Sequence, residues 1–171
     1  AWDWSGLRTT LTATTQENIF SYVLTGSQNN IKLLHAYNDT SDWDLRYQTP
    51  IWFDQKYMME DPVSGSPEYY VFNGVDVNGD TQVDVYPKPD GAYTLRFNAI
   101  LRNADLADDA DKLYVPSQPV LHMAVALLAR ERGETGGTST PEYFAIADKY
   151  LSDAIALDAQ KHPEEVIWYT P

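Results

Sequence analysis

Thr81-Gln82-Val83-Asp84-Val85-Tyr86-Pro87-Lys88-Pro89-Asp90-Gly91-Ala92-Tyr93-Thr94-Leu95-Arg96-Phe97-Asn98-Ala99-Ile100-Leu101 decides the fold class. Val83 and Val85 alternate with polar neighbours, and Tyr93, Leu95, Phe97 and Ala99 share one face, which is the two-residue period of strands. Pro and Gly in the five residues between the runs suit a type I or II turn. A hairpin, and hence antiparallel sheet, is the expectation here.

Upstream, residues 7–14, 18–24, 31–37 and 68–72 are short runs of β-branched, leucine and aromatic residues separated by Asn, Asp, Ser and Gly, and they predict four further strands. Residues 50–60 interrupt the pattern as a short helix or an aromatic-anchored loop. Downstream, past the acidic run Asp105-Leu106-Ala107-Asp108-Asp109-Ala110-Asp111, the period changes. Leu121, Ala124, Val125, Leu128 and Ala129 stand at helical offsets. After Gly133 and Gly136-Gly137, Thr140 followed by Pro141 and Glu142 begins a second helix carrying Phe144, Ala147, Leu151, Ala154 and Ile155. The predicted seam sets Leu121, Val125 and Leu128 against Phe144, Leu151 and Ile155. The fold class is therefore α+β. An antiparallel β module, sheet or sandwich, spans 1–104, an acidic linker 105–115, an α-helical hairpin 116–162 and an extended C-terminal arm 163–171.

The 171 residues carry 25 acidic and 12 basic side chains and no cysteine. Disulfides, thiolate nucleophiles and Cys-ligated metals are excluded. The net charge of -13 is spread evenly, with 13 acids against 6 bases in residues 1–100 and 12 against 6 in the rest. Such a surface repels phosphate backbones and predicts that nucleic acid is not gripped. No apolar run approaches the length of a membrane span. The chain opens on Ala1-Trp2-Asp3-Trp4 without methionine, from which a missing upstream segment is expected.

Asp76, Asn78 and Asp80 stand at the first, third and fifth positions of a calcium loop. Thr81 replaces the required glycine and Pro87 the twelfth-position carboxylate, so the segment is predicted to be an Asn-Gly turn between strands. The four aspartates of 105–111 suit a solvated loop. His35, His122 and His162 lack metal-ligand spacing. Gly133-Glu134-Thr135-Gly136-Gly137 has neither the Lys-Ser/Thr nor the preceding strand of a phosphate loop, and no Gly-x-Ser-x-Gly elbow occurs. No catalytic residue, metal ligand or cofactor is expected, and the chain does not read as an enzyme. The aromatic excess is the remaining signal. Trp52, Phe53 and Tyr57, and Ile167, Trp168 and Tyr169, are ring-rich clusters of the kind interfaces favour.

Pro67-Glu68-Tyr69-Tyr70-Val71-Phe72, the run from Val83 to Phe97, Val115-Pro116, the helix closing on Ala129-Arg130-Glu131-Arg132-Gly133-Glu134, and Ala147-Asp148-Lys149-Tyr150-Leu151 occur in an order that resembles the head-to-tail adaptor (neck) proteins of tailed phages. These include the tail adaptors, or tail tubular A proteins, of short-tailed phages. The similarity covers residues 1 to about 160, and members usually begin with an additional helical segment, so this chain is expected to be trimmed or to lack it. The resemblance implies a structural virion protein. It would form a dodecameric homo-oligomeric ring between the portal protein and a tail or nozzle protein, line part of the DNA ejection channel without binding DNA specifically, and need no membrane. Its place would be the neck or tail of the virion, and the host cytoplasm during assembly. Ile167, Trp168 and Tyr169 become candidate anchors to the portal or a neighbouring subunit, and Trp52, Phe53 and Tyr57 candidate tail-side or inter-subunit contacts. A non-catalytic β-sandwich binding module for a saccharide or protein ligand is the alternative, and it leaves the helical hairpin without a role.

Overall fold

The computed structural model describes residues 2–27, 29, 31–59, 61–103, 105–132 and 140–161. Two compact units make up the chain, one of Arg8–Arg102 and one of Ala1–Leu7 with Asn103–Pro171. The expected β module of residues 1–104 thus starts later than its sequence suggests, because the first seven residues group with the helices.

In chain order the first unit contains β1 (Arg8–Thr14), β2 (Ser21–Val23), β3 (Ile31–Asn38), β4 (Trp43–Asp44), β5 (Arg46–Tyr47), α1 (Pro50–Asp54, continued by a π-helical turn over Gln55–Met59), β6 (Tyr69–Val75), β7 (Thr81–Tyr86) and β8 (Thr94–Leu101). One sheet has the order β1-β8-β3-β4 and is antiparallel throughout. The other has the order β2-β7-β6-β5, with only the short β5–β6 pair parallel. Their inner faces meet as a sandwich. Ala13, Ala36, Leu95 and Phe97 of the first sheet pack with Tyr70, Val83 and Val85 of the second, together with Leu24 and Leu45. Alternation in β8 follows the sequence closely, since Leu95, Phe97 and Ala99 are fully buried while Arg96 is exposed.

The expected β7–β8 hairpin is not formed, because the two strands belong to different sheets. Residues 87–91 carry the chain from one sheet to the other, and neighbouring loops take up their polar groups. Lys88 N–H donates to the Val63 carbonyl (2.9 Å), Asn18 N–H to that of Pro89 (2.9 Å) and Thr15 Oγ1 to that of Gly91 (2.8 Å). With two of the five residues proline, the segment has too few donors to close a ladder of its own. The Asn-Gly turn lies between β6 and β7, which do pair antiparallel. There Gly79 takes φ +85°, a conformation glycine adopts without steric cost.

Strand β7 is covered on both faces. Over the outer side of its sheet lies α1, capped by Thr49, whose Oγ1 accepts from Trp52 N–H at 3.3 Å, with Pro50 in the first turn. Phe53 reaches Val71 and Tyr86, with Trp52, Tyr57 and Tyr69 around them.

The second unit contains α2 (Ser117–Arg132) and α3 (Thr140–Ala159). His122 stacks on Tyr150 (centroids 4.1 Å apart) and the Arg130 guanidinium sits 5.8 Å from the Phe144 ring centre, so the helices run antiparallel. The predicted seam is corrected here. Leu121 and Leu128 are 57% and 52% exposed and Val125 is also exposed, whereas Pro119, Ala126 and Ala129 of α2 and Ala147 and Ala154 of α3 are buried. Helix α2 is apolar around most of its circumference, so periodicity finds a stripe without saying which side is covered. The side that allows close approach of two backbones is the one rich in alanine.

Candidate partner-binding surfaces

Three regions bear on what the molecule can hold. In the first, α1 presents rings to its own sheet. Trp52 lies 5.2 Å from Tyr69 and edge-on to Tyr86 at 5.3 Å, Phe53 is only 4% exposed, and Tyr57 stacks on Phe20 at 4.4 Å. The Tyr57 hydroxyl donates to the Val85 carbonyl at 2.6 Å, and burial pushes its pKa well above the ordinary phenol value. Phe53 is therefore a core residue with no face left for a partner, while Trp52 and Tyr57 keep part of their edges exposed. The apolar side chains this helix does offer outward are Ile51 and Met58, which the ring-counting of the sequence passes over.

The second region is the exposed surface of the helical hairpin. Val120, Leu121, Val125, Leu127 and Leu128 of α2 and Ile146, Tyr150 and Leu157 of α3 are all exposed. An exposed apolar row such as Leu121, Val125 and Leu128 on an otherwise charged protein marks a surface that associates. The sequence contained the signal, because the stripe it revealed is this one, turned outward.

The third region is a clasp that no local motif announces. Asp158 of α3 is 4% exposed. Its carboxylate accepts from Trp2 Nε1 (2.9 Å), Ser5 N–H (3.0 Å) and Ser5 Oγ (2.5 Å), and Lys161 Nζ stands at 3.4 Å. Gly6 lies so close to the Tyr114 carbonyl that a Cβ there would come within 2.3 Å of its oxygen. The N-terminal residues are thereby held to the helices. Burial alone would raise the Asp158 pKa, but the donors from Ser5 and Trp2, with Lys161, outweigh it and hold the carboxyl well below the usual range.

A carboxylate depressed on folding contributes stability that is complete above its unfolded pKa, near 4, and is lost as the pH falls further. Asp158→Ala, which leaves the Trp2 and Ser5 donors unpaired, is expected to cost about 3 kcal/mol at pH 7 in a denaturant melt. The difference from the parent should shrink below about pH 4, as the parent's own carboxyl protonates. A variant equally stable at pH 7 would show that the clasp is not held by this group.

None of these regions holds a catalytic constellation. The would-be calcium loop is occupied by its own turn, because the Asp76 carboxylate accepts from Asn78 N–H (2.9 Å) and Asp80 N–H (2.8 Å), bonds that hold its pKa down. Asp111 turns its carboxylate in the same way onto the N–H groups of Ala107 and Asp108. His35 pairs with Asp44 at 2.8 Å on the surface. Among the described residues no cluster of His, Asp and Glu is arranged to hold a metal ion, and no helix is long and apolar enough to cross a membrane. Ile167, Trp168 and Tyr169, the anchors expected in the C-terminal arm, and His162 lie outside the described residues.

A family model described as SU10 adaptor protein matches residues 2–166. Comparison with curated proteins gives no match.

Proposed function

Because the chain belongs to the SU10 adaptor protein family, a family of phage structural adaptors, we propose that it is the subunit of a head-to-tail ring. The ring joins portal to tail and forms part of the channel through which DNA leaves, as in the tail adaptors of short-tailed phages. The observation that carries this reading beyond the family match is the exposed apolar row of α2. A ring closed by rotation is a head-to-tail contact, which needs two different patches on each subunit. The α2 row supplies one. Ile51 and Met58, with the edges of Trp52 and Tyr57, supply a second, and Ile167, Trp168 and Tyr169 act as anchors on the portal or the next subunit.

The charge fits the conduit. With a net charge of -13 the wall repels the phosphates passing it, whereas a basic lining would retain the duplex through counterion release. The subunit is accordingly non-catalytic, works without a cofactor or a membrane, and resides in the virion neck.

A double variant, Leu121→Asp with Leu128→Asp, tests the reading, because both positions are already exposed in the subunit. It is expected to melt within about 1 kcal/mol of the parent. Rings seen by negative stain for the parent, alone or mixed with portal, should be absent. Normal rings from the double variant, or no assembly from the parent under any of these conditions, would overturn the proposal.

A further inference from the structure

Among the described residues the longest free sheet edge is that of β1. Thr15 N–H donates to the Tyr93 carbonyl at 2.9 Å, and β1 pairs with β8 from Arg8↔Ile100 to Thr14↔Thr94 without a register shift. Residues of an antiparallel strand alternate between bonding their partner and facing away. Thr9, Leu11 and Ala13 therefore bond β8, while Arg8, Thr10, Thr12 and Thr14 direct N–H and C=O outward. None of these outward backbone groups has a partner among the described residues. Natural edges this long are blunted by lysine, proline, a bulge or a covering segment. Strand β1 contains no lysine, proline or bulge, and its only charge is Arg8 at its start.

One segment of the same chain has a matching composition. Glu164-Glu165-Val166-Ile167-Trp168-Tyr169-Thr170 lies outside the described residues, and in sequence it has the same seven-residue length as β1. Its last five residues are all strand formers, and it stands between Pro163 and Pro171, each without an N–H to extend a ladder. The two carboxylates precede the apolar run as Arg8 precedes the threonines. Laid parallel to β1, the segment sets Glu164 and Glu165 beside Arg8, in a protein with few cations to attract them.

We propose that the β1 edge of one copy receives residues 164–170 of a neighbouring copy as an added parallel strand. This deepens the ring reading and rests on it. Each copy would donate one strand and accept one, a head-to-tail relation that closes by rotation.

The chain has no cysteine, so introduced thiols report only on themselves. Chains carrying Thr14→Cys, mixed with chains carrying Thr170→Cys and treated with a short thiol cross-linker under ring-forming conditions, are expected to give a covalent dimer that neither variant gives alone. Thr12→Pro removes an N–H that points away from β8, so it should keep the parent's melting curve while reducing cross-link and ring yield at least tenfold. Leu11→Pro, which breaks the β1–β8 ladder, should fail to fold and serves as the contrast. Arg8→Glu should weaken cross-linking, and Glu164→Arg with Glu165→Arg in the donor should restore it. Rings that form without the Thr14 to Thr170 cross-link, or that survive Thr12→Pro, would overturn the strand exchange and leave the ring reading standing. Failure of the parent to form rings, alone or with portal, would overturn both.

Discussion

Ala126→Asp is expected to unfold the helical hairpin, at a cost of about 3–5 kcal/mol, whereas Leu128→Asp two residues away should cost under about 1 kcal/mol. Ala126 is fully buried where α2 meets α3, alongside Ala129 and Ala147. A carboxylate there has no room, since closely packed alanines leave no space for a longer side chain, and Arg130 one turn on is turned onto the Phe144 ring. Leu128 is exposed, so its replacement loses little more than helix propensity in the chain by itself. Helical circular dichroism during urea titration separates the two. If both variants melt alike, α2 does not bury its Ala126 face.

Phe97→Ala is the second large effect, expected at about 4 kcal/mol. Phe97 has no exposed surface, sits opposite Leu11 and Ala36 in the two ladders, and meets Tyr70 of the other sheet edge-on at 6.0 Å. Truncating it opens a void between the sheets, which the strands cannot close without leaving register. Arg96 on the opposite face of the same strand pairs with Asp39 at 2.8 Å in solvent, and Arg96→Ala should cost at most about 1 kcal/mol. Equal losses for the two, measured by urea denaturation, would mean that the β8 alternation does not define the core.

Much of the fold was legible because it is local. The alternation of Leu95, Phe97 and Ala99, the Asn78-Gly79 turn and the helical periods each depend on residues within a few positions of one another. What stayed hidden depends on pairing across long separations. Residues 87–91 look like a hairpin loop until their carbonyls are seen accepting from Asn18 and Thr15, far upstream. Strand β7 reads as half-exposed, yet Tyr86 packs against Trp52, Phe53 and Tyr57 and Asp84 accepts from Asn73 Nδ2 at 2.7 Å, so both are buried as well as Val83 and Val85. The surfaces were legible in part. The stripe of Leu121, Val125 and Leu128 was visible and its direction was not. Phe53 looked like an interface ring because composition counts rings without saying what they touch. Asp158 gave no signal, being one carboxylate among many until Trp2 folds back to it.

That fold-back spans 156 positions of chain. Each partner of the sandwich core lies within residues 8–102, so the strands can complete their sheets as soon as that stretch has left the ribosome. The clasp cannot close until residue 158 has been made. During synthesis, Trp2 and Ser5 wait unsatisfied while a finished sandwich grows between them and their acceptor. The helical unit is thus completed after the sandwich, and a chain halted short of residue 158 would carry a folded sandwich with the Trp2 indole unpaired. Loop-closure entropy makes that last step slow relative to local pairing, though not costly in proportion to its length. A finished helical unit therefore marks a chain made at least as far as residue 158.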